Sequence, residues 1–176
     1  MSDGFEAGRE QRNWLERLGE KIPGFRGFQD RELRREVDKM QREHLAGELG
    51  RIKSGVRRAA GALTDRGMIG ALDQFDRLER RLDGLSQAIR FSDYGASGLF
   101  DVVKIGEPEL ERIYEFDLSV IEDVDRIGST VEALGNAADP ADSITLALEL
   151  LTELDEKWGM RETLIGGVVQ TAGQQS

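Results

Sequence analysis

The sequence contains no cysteine, so disulfides, thiolate nucleophiles and cysteine-ligated zinc are all excluded. It has one histidine, which removes most imidazole-based metal and acid–base sites. Only three prolines interrupt it, Pro23, Pro108 and Pro140, so long helices meet few obligate breaks. Aromatic residues make up 6% of the chain, too few for a stacking platform on which nucleic-acid bases would lie. No run approaches the roughly 20 apolar residues a membrane-spanning helix requires. The opening stretch MSDGFEAGREQRN lacks the basic-then-apolar order of a secretory signal. Cytoplasmic residence is therefore expected.

What remains is charge and aliphatic side chains. A third of the 176 residues are charged and 39% are apolar, the composition of a helical bundle or coiled coil with a Leu, Ile, Val and Ala core. The net charge of −10 is unevenly distributed. Residues 1–66 carry 15 Lys/Arg against 12 Asp/Glu, whereas residues 91–176 carry 5 against 18. A dedicated DNA binder would present a basic face with little opposing acid, so no nucleic-acid partner is expected. The simplest use of the asymmetry is a mildly basic N-terminal helix lying beside acidic C-terminal ones. A charge-sorted assembly of several copies is the alternative.

Spacing sets the elements. A short amphipathic helix is expected over about Glu10 to Lys21, with Trp14, Leu15 and Leu18 on one side. Pro23 and Gly24 end it. Asp30 then caps a long helix to about Leu63. Its apolar positions are Leu33, Val37, Met40 and His44, then Leu45, Leu49, Ile52, Val56, Ala59 or Ala60, and Leu63, mostly in steps of three and four, with the register slipping by one around His44 and Leu45. Thr64–Gly67 is the turn, and a third helix, Met68 to Phe91, turns Leu72, Phe75, Leu78, Leu82, Leu85 and Ile89 inward. SDYGASGLFDVVKIGEP breaks the pattern as a loop, with Leu99, Phe100, Val102, Val103 and Ile105 apolar enough to pack beneath it. Pro108 sits in the first turn of a fourth helix to Leu134. Its seam runs Leu110, Ile113, Asp117, Val120, Val124, Ile127, Val131 and Leu134. Asp139-Pro140-Ala141-Asp142 opens a fifth helix, whose face is Ile144, Ala147, Leu148, Leu151, Leu154 and Trp158.

The expected fold is all-α: an elongated helical bundle with an antiparallel coiled-coil core, four long helices plus a short N-terminal one. Residues 1–9 read as a disordered N-terminus, 10–158 as the bundle, and 159–176 as a short apolar patch and flexible tail.

Candidate sites are few. PGFRG and YGASG have the glycine density of phosphate cradles but not the GxxxxGK[ST] spacing, and no strand precedes them. A helix start follows the first, so an anion on the amides of Gln29 to Glu32, helped by Arg26 and Arg31, is the functional alternative to a plain corner. Glycine and aromatic residues cluster outside the seams in only two places, besides the tail. These make Pro23, Gly24, Phe25, Arg26, Gly27 and Phe28, with Tyr94, Leu99 and Phe100, the expected partner-binding surface. His44 lacks the Glu-x-x-His pairing of a di-iron bundle, since Gln41 stands three residues before it. It reads as a polar seam residue bonded to a carboxylate of a neighbouring helix. Asp117 interrupts an otherwise apolar heptad run. Buried carboxylates need partners, and polar seam residues are best attested as register devices, so an Arg or His from the second helix is expected to answer it. No nucleophile or base pattern accompanies it, so no catalytic residue, metal or cofactor is expected. Glu149, Glu153 and Glu156 read as a solvated face, and Arg34-Arg35, Arg57-Arg58 and Arg80-Arg81 as a surface charge lattice.

The run I-P-G-F-R-G-F followed by R-E-V-D-K-M-Q-R-E-H-L-A resembles a pattern found in a group of prokaryotic helical proteins. That pattern is Pro-Gly-aromatic-x-Gly-aromatic, then Arg-Glu-Ala-Asp and Arg-x-x-Leu-Ala. Here Phe25 and Phe28 replace tyrosines, and Val37 replaces alanine; Phe91 to Asp101 is similar to a second feature of the group. The resemblance implies a cytosolic coiled-coil partner of a larger assembly, with a link to membrane scaffolds of the SPFH/band-7 type and no enzymatic activity. From the residues and the resemblance together, the expectation is a non-enzymatic adaptor or scaffold subunit that binds protein partners and assembles with itself. Two rivals stand beside it. One is a peripheral effector at the inner membrane face, inserting its N-terminal helix. The other is a carboxylate-based, metal-dependent enzyme.

Overall fold

The computed structural model describes residues 16–24, 31–92 and 107–174; side chains at 31–37, 107–110, 162 and 165–174 are outside the description. The elements are α1 (residues 16–21), α2 (Arg31–Asp65), a single 3-10 turn (Ile69–Ala71), α3 (Leu72–Phe91), α4 (Glu107–Leu134) and α5 (Ala141–Gln174). No strand occurs among the described residues. The fold is an all-α helical bundle, as the three- and four-residue spacing predicts.

Helix ends follow local chemistry. At the end of α2, Met68 N–H donates to Leu63 O at 2.9 Å and Gly67 N–H donates to Thr64 O at 2.9 Å. With Gly67 at φ +76°, this is a Schellman turn, the left-handed stop that glycine adopts without steric cost. The turn redirects the chain, and the third helix opens with the 3-10 turn rather than directly at Met68. At the start of α5, Asp139 Oδ1 accepts a hydrogen bond from Ala141 N–H at 3.0 Å, which makes it the cap expected from the sequence.

The fifth helix departs from expectation at its other end. It continues past Trp158 to Gln174, where a short patch and a flexible tail were expected. A glycine ends a helix when it turns left-handed, and Gly159 does not: among the described residues, positive φ is confined to Gly24 and Gly67. With no proline after Pro140, nothing in the local sequence forces a stop.

The chain divides into two compact units. The first gathers the described parts of Met1–Arg42, Asp93–Ile121 and Gly159–Ser176; the second is Glu43–Ser92 with Glu122–Trp158. In the second unit, Lys53 pairs with Asp83 and Arg57 with Glu79, so one index rises by four as the other falls by four. Helices α2 and α3 are therefore antiparallel. Against α4 the sense reverses. Gly128 lies against Ile52, Gly55 against Val131 and Gly135 against Ala59, both indices rising together, so α2 and α4 are parallel. Arg66 in the turn after α2 donates to Ala137 O in the turn after α4 at 3.2 Å, which agrees with that direction. Lys157 pairs with Asp123 and Arg81 donates to Thr152, closing a ring of four helices in the order α2, α3, α5, α4. Helices consecutive in sequence are antiparallel, while the close α2–α4 contact is parallel. The seam side chains fill the centre: Leu45, Leu49, Val56, Leu63, Leu78, Leu82, Ile89, Ile127, Leu134, Ile144, Leu151 and Leu154 are each completely buried. Burial on this scale is worth about 1.5–3 kcal/mol per large aliphatic side chain before chain entropy is charged against it.

The first unit is differently filled. Leu18 and Ile22, at the end of α1, are buried with Ile113, Tyr114, Leu118, Val120 and Ile121 of α4. Buried among these lie polar groups from α2, α4 and α5.

Candidate functional site

Four polar side chains are buried among the described residues: Gln41, Arg42, Asp117 and Arg161. All belong to one cluster in the first unit. The guanidinium of Arg161 grips Asp117 with two bonds, Nε to Oδ1 at 2.8 Å and Nη2 to Oδ2 at 3.2 Å. Its Nη1 stands 2.8 Å from Asp38 Oδ1, and Nη2 donates a long bond of 3.4 Å to Gln41 Oε1. Arg42 Nε in turn donates to Asp38 Oδ2 at 2.9 Å. Two carboxylates thus meet two guanidinium groups, and three helices are tied through one arginine fork.

Burial alone would lower the pKa of Arg161; the charge of Asp117 and its hydrogen bonds, followed by the neighbouring charge of Asp38, outweigh this and hold it above the ordinary arginine value. The cluster is not fully satisfied. Asp38 Oδ1 meets Arg161 as a charge contact without hydrogen-bond geometry, and Gln41 Nε2 has no hydrogen-bond acceptor.

Asp117 is 2% exposed, so its seam position does bury a carboxylate. Its partner corrects the expectation. The answering cation comes from α5 rather than from the second helix, and from a stretch read as tail; α2 contributes Asp38 and Gln41 to the same cluster. The signal was present, because Arg161 lies three residues beyond Trp158 and continues the α5 seam. A catalytic carboxylate must reach a substrate. Both oxygens of Asp117 are occupied and shut away from solvent, which suits a clamp.

The other expected site residues are placed as follows. Pro23 and Gly24 form an exposed turn after α1, with Ile22 N–H donating to Leu18 O at 2.8 Å. Gly24 has φ +81°, and a Cβ there would sit 3.4 Å from Met40 Cε, so the turn requires glycine. Phe25, Arg26, Gly27, Phe28, Tyr94, Leu99 and Phe100 lie outside the described residues. His44 is half-buried, its Nδ1 3.9 Å from Glu48 Oε1 one turn along its own helix. Glu149, Glu153 and Glu156 are exposed, as a solvated face should be. Among the described residues, no group of three His, Cys, Asp or Glu side chains is arranged to hold a metal ion. No helix of the described residues is long and apolar enough to cross a membrane.

Sequence reasoning missed one feature. A groove of about 680 Å³ opens on the second unit between α2 and α4. Glycines make it: a Cβ at Gly55 would press on Val131 at 3.3 Å, and one at Gly128 would meet Ile52 at 3.6 Å. Small residues let the two helices approach closely and leave a shallow floor of Ser54-Gly55 and Gly128-Ser129 between charged rims. In sequence these pairs only weaken helix propensity. Their meaning depends on a parallel pairing that heptads do not specify.

Comparison with family models, curated proteins and solved structures returns no match. The functional reading rests on the geometry.

Proposed function

We propose that this protein is a non-enzymatic interaction subunit, an adaptor or scaffold component that works by binding other protein chains through the outside of a helical bundle. One observation carries this reading. Of the four buried polar side chains among the described residues, Gln41, Asp117 and Arg161 join α2, α4 and α5 to one another, and Arg42 supports them through Asp38 on its own helix; the other described polar groups are half-buried or exposed. Buried groups spent on helix-to-helix bonds suit a rigid body that recognises a partner by its surface. The glycine-aromatic stretch Pro23 to Phe28 and the stretch bearing Tyr94, Leu99 and Phe100 are its proposed contact surface. The membrane-surface alternative would have to undock α1, because Leu18 and Ile22 are 1% and 2% exposed.

Affinity capture from the native host tests the reading. A Phe25→Ala/Phe28→Ala variant should lose its protein partners while helical circular dichroism is retained. Unchanged capture, or a variant that unfolds, would remove the corner from the contact surface. Co-flotation of the protein with anionic vesicles would favour the membrane alternative.

A further inference from the structure

The groove on the second unit has two unlike rims. Arg51 and Arg58 stand on the α2 rim, with Glu48 beside Arg51, and Asp125 and Glu132 stand on the α4 rim. Each pair is separated by two helical turns, a rise of about 10.5 Å at 1.5 Å per residue. Because α2 and α4 are parallel, Arg51 stands nearly level with Asp125, and Arg58 with Glu132. The floor makes few demands. Ser54 Oγ donates to Gly50 O and Ser129 Oγ to Asp125 O, both at 3.1 Å, so neither hydroxyl proton needs a foreign acceptor.

We propose that this groove is the face of a homodimer, met rim to rim by the same helix pair of a second copy about a two-fold axis running along the groove. The proposal deepens the interaction reading above and rests on it. Rotation about that axis lays α2 of one copy over α4 of the other, running in the same direction. Arg58 then meets the partner's Glu132 and Arg51 the partner's Asp125, and each pair occurs twice, as an isologous contact requires. A basic rim beside an acidic rim is complementary to itself under this operation. A partner of one charge sign would instead set like charges against one rim, which favours the wrong encounter least. Arg51 already has a local companion in Glu48, and Asp125 is likewise engaged within its own chain. Arg58 and Glu132 are exposed and take part in none of the ion pairs among the described residues, so they carry the prediction most cleanly.

Sedimentation velocity of the full chain, across micromolar concentrations at low salt, tests this. The wild type should be a reversible dimer. Arg58→Glu alone and Glu132→Arg alone should each weaken self-association by at least about tenfold, because two attractive pairs become repulsive. An equimolar mixture of the two single variants should form a heterodimer, and the Arg58→Glu/Glu132→Arg double variant should recover wild-type association. A wild type that stays monomeric, or association indifferent to both reversals, would overturn the proposal. So would loss of helical circular dichroism in either variant, since it would make these side chains structural. A monomer that still captures partners from the host would sink the dimer and leave the interaction reading standing; loss of both would sink both.

Discussion

The two units solve the same packing problem by different means. In the second, the helix interior is apolar throughout, and its ion pairs sit at the edges, where Arg57 meets Glu79 on the surface. In the first, a four-charge cluster lies inside, with Asp117 2% and Arg161 7% exposed. Shape fills one core, whereas charge fixes the partners in the other. Aliphatic seams tolerate slippage by a turn, because one leucine resembles the next. An arginine fork on a single aspartate does not. The cluster therefore specifies which turn of α5 meets which turn of α4, at the cost of desolvating four charges.

The sharpest way to break this contrast is to remove the fork. Arg161→Ala should destabilise the protein by roughly 3–5 kcal/mol in urea unfolding, because it strands Asp117 in the interior. An Arg161→Met/Asp117→Leu double variant should recover most of that loss, since both buried charges of the fork disappear together. Next in size is a cavity in the apolar unit. Leu82→Ala, at a completely buried position, should cost about 2–5 kcal/mol with no rescue by any charged partner. A smaller loss, about 1 kcal/mol, is expected from Gly67→Ala. Nothing lies within 4 Å of the added Cβ, so only the left-handed backbone is penalised. The smallest effect belongs to the surface. Arg57→Ala should barely move the urea midpoint, and the little coupling it has to Glu79 should vanish near 1 M salt, where the Debye length is about 3 Å. Coupling between Arg161 and Asp117 should survive that salt. Equal salt sensitivity of the two pairs would mean that the inner cluster is solvated, and the contrast would fall.

Much of this was legible along the chain. Every described seam position of α3 from Phe75 onward, and of α4 from Ile113 onward, is buried as its spacing indicates. Asp117 stood out because it interrupted a clean run, and it is indeed buried. Its partner was hidden for a local reason: Gly159 and the later glycines make residues 159–176 look like a tail. A glycine's φ, which decides whether a helix stops, is set by tertiary contacts. The extra buried residues of α4, Tyr114, Leu118 and Ile121, lie off the seam, and a heptad reading counts only one stripe. The groove was illegible for a deeper reason. Gly55 and Gly128 are 73 residues apart, and no periodicity within either helix announces that the two will touch.

The central claim is that the buried polar groups hold the bundle together and that recognition happens outside. Partner capture by the Arg161→Met/Asp117→Leu variant, measured beside its circular dichroism and urea midpoint, tests this most directly. Capture equal to wild type from a folded protein is the predicted result. A folded, stable variant that no longer captures its partners would contradict it, because the cluster would then have a role beyond holding helices in register.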